Sequence, residues 1–145
     1  MPKKGPILII EDDIDDQEML KEVFEDLHIP NALHFFRTCM EALDYLLTTL
    51  EKPFLIISDI NLPAMTGLQL KKEINGIENL RNKCIPYIFL STALDEHFIT
   101  SAYEVQGQGY FVKPARLAEM KEMMAMIVGY WKFCRNPSFQ VLAAG

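Results

Sequence analysis

Acidic residues stand at the ends of two short apolar runs of this sequence. Glu11, Asp12 and Asp13 follow the first run directly, and Asp59 follows another run after a single serine. If the two runs are neighbouring strands of a parallel sheet, these carboxylates converge on one small volume. Like charges held so close either raise a pKa or require a cation, and Mg²⁺ with oxygen ligands and retained waters suits the set. The spacing alone leaves open which carboxylates of the first group are ligands.

Two further apolar runs end in groups that bind phosphate oxygens. Ser91 follows one run with a hydroxyl, and Lys113 follows the last run with an ammonium. A metal ion and a lysine neutralise phosphoryl oxygens, and a hydroxyl positions one of them. Each residue alone has an ordinary explanation as a helix cap, a turn residue or a surface lysine. Complementary chemistry at four strand ends favours a phosphate site.

The elements that must position these residues alternate along the chain. Short apolar runs predict strands, and longer segments of helical period predict helices. The predicted strands cover 6–10, 32–37, 54–57, 86–90 and 110–112; the predicted helices cover 14–27, begin after Thr38 and after Thr66, and cover 95–106 and 115–133. Such alternation predicts right-handed crossovers and an α/β fold with a doubly wound parallel sheet. Ligands of such sheets bind at the carboxyl ends of the strands, where the strand order reverses.

Two helix starts carry a capping-box spacing, in which a hydroxyl residue precedes a Glu or Gln by three positions. Thr38 precedes Glu41, and Thr66 precedes Gln69. The first of these helices is expected to turn four leucines inward: Leu43, Leu46, Leu47 and Leu50. In the helix over 14–27, the acidic residues Asp15, Asp16 and Glu18 are interpreted as favourable neighbours of the helix dipole.

Composition narrows the class of protein. The chain has 145 residues, which is one domain, and 20 acidic against 14 basic residues. This balance argues against a nucleic-acid surface, which needs clustered Lys and Arg. No apolar run approaches the ~20 residues of a membrane span, and the first run is too short for a signal peptide. We therefore expect a cytoplasmic protein with no nucleic-acid or membrane partner.

The cysteines and histidines give no sign of a disulfide framework or a zinc site. Cys39, Cys84 and Cys134 are odd in number and widely spaced, as expected of reduced thiols. The three histidines lack metal-ligand spacing and are interpreted as structural: His28, His34 and His97.

Four motifs, taken in order, carry a family resemblance. They are Ile-Leu-Ile-Ile-Glu-Asp-Asp at 7–13, Ile-Ser-Asp-Ile-Asn-Leu-Pro-Ala-Met-Thr-Gly at 57–67, Phe-Leu-Ser-Thr-Ala at 89–93, and Gly-Tyr-Phe-Val-Lys-Pro at 109–114. Together they resemble the receiver domain of bacterial response regulators. The resemblance covers nearly the whole chain and implies a receiver domain over 6–134 with a short tail over 135–145. It also implies a flavodoxin-like sheet of order 2-1-3-4-5 with five flanking helices.

The resemblance implies a phosphoacceptor and a metal site. Asp59 would accept the phosphoryl group and, with Glu11 and Asp12, would bind Mg²⁺. The backbone carbonyl of Asn61 would be a further ligand of the metal.

Three other residues receive roles by the same resemblance. Ser91 would be the hydroxyl that follows the phosphoryl group, Lys113 its counter-charge, and Tyr110 the aromatic residue whose rotamer reports phosphorylation. Thr92 stands where the family commonly has a small residue, which bears on access to the phosphoryl group.

The function that follows is a signalling switch rather than a turnover enzyme. The phosphoryl group would come from a phosphohistidine on a histidine kinase or phosphotransfer protein, and the output would be contact with a downstream protein. One alternative is a receiver-shaped scaffold that is never phosphorylated. Another is an Asp-nucleophile phosphohydrolase, but such an enzyme would need a second acid where this chain has Asn61. A nucleotide- or flavin-binding domain would need a Gly-rich loop that the first strand lacks.

The last predicted helix has two apolar stripes. One is expected to pack on the sheet: Leu117, Met120, Met124, Ile127, Val128 and Trp131. The second lies where a solvated helix is usually polar: Met123, Met126, Tyr130 and Phe133. Either the tail folds back over the second stripe with Phe139, Val141 and Leu142, or this stripe is a partner or homodimer interface.

Overall fold

The computed structural model describes residues 4–135, in which five strands alternate with six helices. In chain order these are β1 (Ile7–Ile10), α1 (Ile14–Asp26), β2 (Leu33–Phe36), α2 (Cys39–Thr48), β3 (Leu55–Ser58), α3 (Gly67–Gly76), α4 (Glu78–Asn82), β4 (Tyr87–Ser91), α5 (Glu96–Glu104), β5 (Gly109–Val112) and α6 (Leu117–Phe133). None of the helices in this part of the chain is long and apolar enough to cross a bilayer.

The strands form one parallel sheet in the order β2-β1-β3-β4-β5, as predicted. Strands β1, β3 and β4 are buried along their whole length, because helices cover both faces of the sheet. Ile10 lies opposite Ser58 in the register of β1 and β3. The carboxyl ends of these two strands are therefore level, at the point where the strand order reverses.

Two apolar layers cover the sheet, one on each face. Alternate residues of β1 point to opposite layers: Leu8 and Ile10 face one, and Ile7 and Ile9 face the other. The first layer receives side chains of α2, α3, α4 and α5, and the second receives those of α1 and α6. The doubly wound α/β architecture predicted from the alternation of elements is confirmed.

Both predicted helix starts have a hydroxyl cap. Thr66 Oγ1 accepts a hydrogen bond from Gln69 N at 3.2 Å, and Gln69 Oε1 accepts one from Thr66 N at 2.8 Å, which completes the capping box. Thr38 Oγ1 accepts from Glu41 N at 3.2 Å and caps α2. The cap at Thr66 begins α3 directly after the loop that follows Asp59.

Two predictions about the helices are wrong. The structure has a sixth helix, α4, where no element was expected; this short, polar helix buries one apolar side chain, Leu80. On α2, Leu46 is buried and Leu43 is partly buried, but Leu47 is 53% exposed and Leu50 is 98% exposed. The helix ends at Thr48, so Leu50 lies beyond it, and Cys39 and Ala42 are buried together with Leu46.

The inner stripe of α6 is confirmed, since Met120, Met124, Ile127 and Val128 are buried and Leu117 and Trp131 pack against them. Of the second stripe, Met126, Tyr130 and Phe133 are exposed, while Met123 is half-buried and packs against the core. Met123 therefore belongs to the inner stripe. The tail residues Phe139, Val141 and Leu142 lie outside the described residues, and both alternatives for the second stripe stay predictions.

The three thiols are free, as predicted, and differ in exposure. Cys39 is buried, Cys84 is exposed and Cys134 is intermediate. Burial raises the pKa of the Cys39 thiol to about 12, and the nearby charge of Asp59 acts in the same direction. Cys39 is therefore an inert core residue.

Candidate functional site

The carboxyl ends of β1 and β3 bring Glu11 and Asp59 to the same edge of the sheet. Glu11 N donates to Phe36 O at 2.9 Å, and Asp59 N donates to Ile10 O at 3.1 Å, so both backbones are tied to the neighbouring strand. Glu11 is 3% exposed, and the side chain of Asp59 is 13% exposed. The predicted convergence of carboxylates from the two strand ends is present for these residues.

Lys113 joins the two carboxylates. Its backbone N–H continues the ladder between β4 and β5 by donating to Ser91 O at 3.0 Å. Its Nζ forms a short ion pair with Glu11 Oε1 and lies 3.1 Å from Asp59 Oδ2. It also lies 2.9 Å from Asp16 Oδ2. Because an ammonium has three N–H donors, three carboxylates use all of them.

In this cluster three carboxyl groups surround one ammonium, and this imbalance of charge affects the pKa values of Glu11 and Lys113. Burial raises the pKa of Glu11 to about 7, against the lowering effect of the hydrogen bond from Lys113. Burial alone lowers the pKa of Lys113. The hydrogen bonds to Glu11 and Asp16 outweigh that effect, so the pKa of Lys113 lies above its usual value. Lys113 is a fixed positive charge in a pocket that still has an excess of carboxylates.

The donor set of the pocket fits a hard divalent cation. Within residues 4–135 no group of three or more His, Cys, Asp or Glu side chains is already arranged around a metal position. Glu11 and Asp59 nevertheless offer carboxylate oxygens on either side of the Lys113 ammonium, and Asp12, the next residue after Glu11, is exposed. Mg²⁺ usually binds one or two carboxylates and keeps several waters, so these residues fit it.

Asp12 and Asp13 have different surroundings. Asp13 caps α1: its Oδ1 accepts from Asp15 N at 2.8 Å and from Asp16 N at 3.3 Å. Its carboxylate is therefore engaged, whereas Asp12 is exposed and faces solvent. This difference favours Glu11 and Asp12 over Asp13 as the acidic pair, the choice that the family resemblance implies.

The loop after β3 orients the Asp59 side chain. Asp59 Oδ1 accepts hydrogen bonds from Ile60 N at 2.6 Å and from Asn61 N at 3.4 Å. Oδ2 faces Lys113. Each carboxylate oxygen thus has its own donor, and Asn61 lies exposed beside the site.

Gly67 allows this loop to close on itself. Its N–H donates to Ile60 O at 3.1 Å. A Cβ atom at this position would lie 2.1 Å from the Asp59 carbonyl oxygen and 2.7 Å from Ser58 Oγ. Glycine is required here because α3 begins in direct contact with the backbone of Asp59.

Ser91 and Tyr110 are connected through one short segment. Ser91 is buried, and its Oγ accepts from Ala93 N at 3.2 Å. The Tyr110 hydroxyl donates to Ala93 O at 2.6 Å. The backbone after β4 is therefore held on one side by Ser91 and on the other by Tyr110, while Thr92 is exposed between them.

Two residues of the site were not assigned from the sequence. Asp16 contacts Lys113, and Gln17 Nε2 donates to Glu11 O at 2.6 Å. From the sequence alone, Asp16 is interpreted only as a favourable neighbour of the helix dipole. Its position in the sequence could have indicated the contact: Asp16 precedes the buried Leu20 by four residues, which places both on the same face of α1.

The geometry can be compared with known proteins. The family model described as the response regulator receiver domain matches residues 7–125. Response regulator Rcp1 of Synechocystis sp. is 29% identical over 130 residues, which are 86% of this chain and 87% of that protein. Chemotaxis protein CheY-3 of Vibrio cholerae is 30% identical over 129 residues, which are 86% of this chain and 92% of that protein.

Solved structures show the same fold. The phosphorylated cyanobacterial phytochrome response regulator RcpA has a TM-score of 0.83 at 28% identity, covering 93% of this chain and 99% of that chain. The Mn²⁺-bound form of Rcp1 has a TM-score of 0.80 at 27% identity, with the same coverage. The family model spans more than half of the chain, and the chain therefore belongs to the response regulator receiver domains of two-component signalling.

Proposed function

We propose that the protein is a phosphorylation-dependent switch in which Asp59 accepts a phosphoryl group with the aid of Mg²⁺. One observation carries the proposal: the Lys113 ammonium bridges Glu11 and Asp59 across the carboxyl edge of the sheet. A nucleophilic carboxylate, a fixed cation and a second carboxylate are the groups that phosphoryl transfer needs. Two of the similar structures are a phosphorylated response regulator and an Mn²⁺-bound one.

The hydrogen-bond donors around Asp59 orient its carboxylate for attack on phosphorus. Ile60 N and Asn61 N hold Oδ1, which leaves Oδ2, beside Lys113, to face the incoming group. When bound by Glu11, Asp12, Asp59 and the carbonyl of Asn61, Mg²⁺ would neutralise oxygens of the transferring phosphoryl group. The attack forms the bond between Asp59 Oδ2 and phosphorus as the bond to the donor nitrogen breaks.

The switch would act through Lys113, Ser91 and Tyr110. A phosphorylated Asp59 carries more negative charge than the free carboxylate, so it attracts the ammonium and the Ser91 hydroxyl. Ser91 Oγ is bound to Ala93 N, and the Tyr110 hydroxyl is bound to Ala93 O. A movement of Ser91 therefore displaces the segment on which Tyr110 rests, which shifts the population between two states of this surface.

The partners follow from this chemistry. The phosphoryl donor would be a phosphohistidine of a histidine kinase or phosphotransfer protein, and the output would be contact with a downstream protein. We infer a cytoplasmic setting, since the three cysteines are free thiols. We infer no nucleic-acid partner, since the chain is acidic overall. The protein would carry out its own phosphorylation and dephosphorylation without turning over a separate substrate.

The test is labelling by acetyl phosphate in the presence of Mg²⁺, followed by intact mass. We expect the unaltered chain to gain one phosphoryl group and Asp59→Asn to gain none, because the amide has no negatively charged oxygen to act as the nucleophile. Asp44→Asn, at an exposed position of α2, is the matched control and should label normally. Undiminished labelling of Asp59→Asn would refute the assignment of the phosphoacceptor.

The same experiment addresses the alternatives. A scaffold that works without phosphorylation would show no labelling of the unaltered chain. A phosphohydrolase would release phosphate with repeated turnover, for which it needs a general acid near Asp59. Asn61, two residues on, is an amide and cannot supply the proton.

A further inference from the structure

A second polar cavity lies at the opposite end of the sheet, beside the amino ends of β4 and β5. Its volume is about 250 Å³. The polar lining residues are two cations, three amides and a thiol: Lys71, Arg81, Asn75, Gln106, Gln108 and Cys84. No carboxylate of residues 4–135 lines it, although the chain has 20 acidic residues against 14 basic ones. The lining is thus positive in a protein that is negative overall.

Lys71 brings a buried charge to this cavity. The residue is 7% exposed on α3, and its Nζ donates to Asn75 Oδ1 at 2.7 Å. No carboxylate of residues 4–135 forms an ion pair with it. Burial of a charge without a counter-charge is unfavourable, and burial accordingly lowers the pKa of Lys71, against a smaller opposing effect of Cys84.

Asn75 holds the second cation next to the first. Arg81 Nη1 donates to Asn75 O at 2.9 Å, and Asn75 Nδ2 donates to Val105 O at 2.9 Å. The asparagine is therefore fixed by its amide nitrogen while its two oxygens hold Lys71 and Arg81. These bonds use one of three donors of the ammonium and one of five of the guanidinium.

We propose that this cavity binds a small tetrahedral oxyanion of the phosphate class, with Lys71 as the buried counter-charge and Arg81 at the opening. A volume of about 250 Å³ accommodates such an ion with part of its hydration shell. The planar guanidinium offers paired donors that match phosphate oxygens. The ligand would neutralise the uncompensated ammonium, and its site is separate from Asp59, which lies at the carboxyl ends of the strands.

Cys84 gives a direct readout, because it lines the cavity and is exposed. The full chain is alkylated with iodoacetamide in sodium phosphate and in sodium chloride of equal ionic strength, and each cysteine is followed by mass spectrometry. At a phosphate concentration of twice the dissociation constant, Cys84 should react about threefold more slowly in phosphate. Cys134, outside the cavity, is the internal control and should react equally in both salts.

Matched variants complete the test. Lys71→Met should abolish the protection of Cys84, while Lys72→Met, at the exposed neighbouring position, should retain it. Arg81→Gln should weaken the protection and is a surface change that leaves the core intact. Protection should persist in Asp59→Asn, which separates this site from the proposed phosphoacceptor. Equal rates in the two salts, or protection that survives Lys71→Met, would overturn the proposal.

Discussion

The two ends of the sheet have opposite charge imbalances. At the carboxyl ends, Glu11, Asp16 and Asp59 share the single ammonium of Lys113. At the amino ends, the ammonium of Lys71 is buried with one neutral oxygen as its partner. One end therefore has an excess of acid, and the other has a cation without its counter-charge.

This difference shows that an uncompensated charge in a buried site indicates the charge of the ligand that the site would bind. Where carboxylates outnumber cations, a further cation lowers the electrostatic energy, as we propose for Mg²⁺ at Asp59. Where a buried cation has no carboxylate partner, a bound anion lowers the electrostatic energy, as we propose at Lys71. The parallel sheet keeps the two sites at opposite ends of the molecule.

The largest expected effect comes from removing the cation of the acidic end. Lys113→Met leaves the carboxylates without their shared donor and removes the positive charge beside the transferring group. We expect the rate of labelling by acetyl phosphate to fall by at least about 100-fold, the order found when one preorganised electrostatic group is lost. The control is Lys121→Met, which breaks the ion pair to Asp26 at 2.8 Å, remote from the site, and should label at the normal rate. Normal labelling of Lys113→Met would show that the bridge is not needed.

A change of intermediate size is expected at the basic end. In chloride buffer, Lys71→Met should raise the free energy of unfolding by about 1–3 kcal/mol, because it removes a buried charge that lacks a counter-charge. Urea unfolding measures this value. Lys72→Met changes an exposed residue of the same helix and should leave the stability nearly unchanged. Loss of stability in Lys71→Met would mean that the ammonium is already well compensated.

The smallest effect is expected at Asp16, which is the most exposed of the three partners of Lys113. Asp16→Asn removes one negative charge near the proposed Mg²⁺ site. Because the side chain is 38% exposed and screened by solvent, we expect the half-saturating Mg²⁺ concentration for labelling to rise only about two- to fivefold. Asp15→Asn, in the same helical turn and exposed, is the control. An unchanged Mg²⁺ requirement in Asp16→Asn would show that Asp16 does not contribute to the site.

The strand ends could be predicted from the sequence because apolar runs mark where a buried sheet stops. This rule located Glu11, Asp59, Ser91 and Lys113, and the order of the four motifs identified the topology. The contact of Asp16 was not predicted, since an acid in the first turn of a helix has an ordinary explanation in the helix dipole.

Tertiary packing decided the features that local patterns do not encode. Lys71 follows Leu70 on α3 and would be expected to face solvent. It is buried all the same, beside a cavity whose other lining residues belong to α3, α4 and the loops that precede β4 and β5. Helix α4 was missed because it is short and polar and depends on one buried leucine, Leu80.

Helix α1 has ion pairs near both of its ends, with consequences for how far a local event can reach. Asp16 in its first turn binds Lys113, and Asp26 at its last residue binds Lys121 on α6. The two positions are about 15 Å apart along the axis. The two ion pairs therefore connect the acidic pocket to α6 and its exposed aromatic residues through α1, without passing through the sheet.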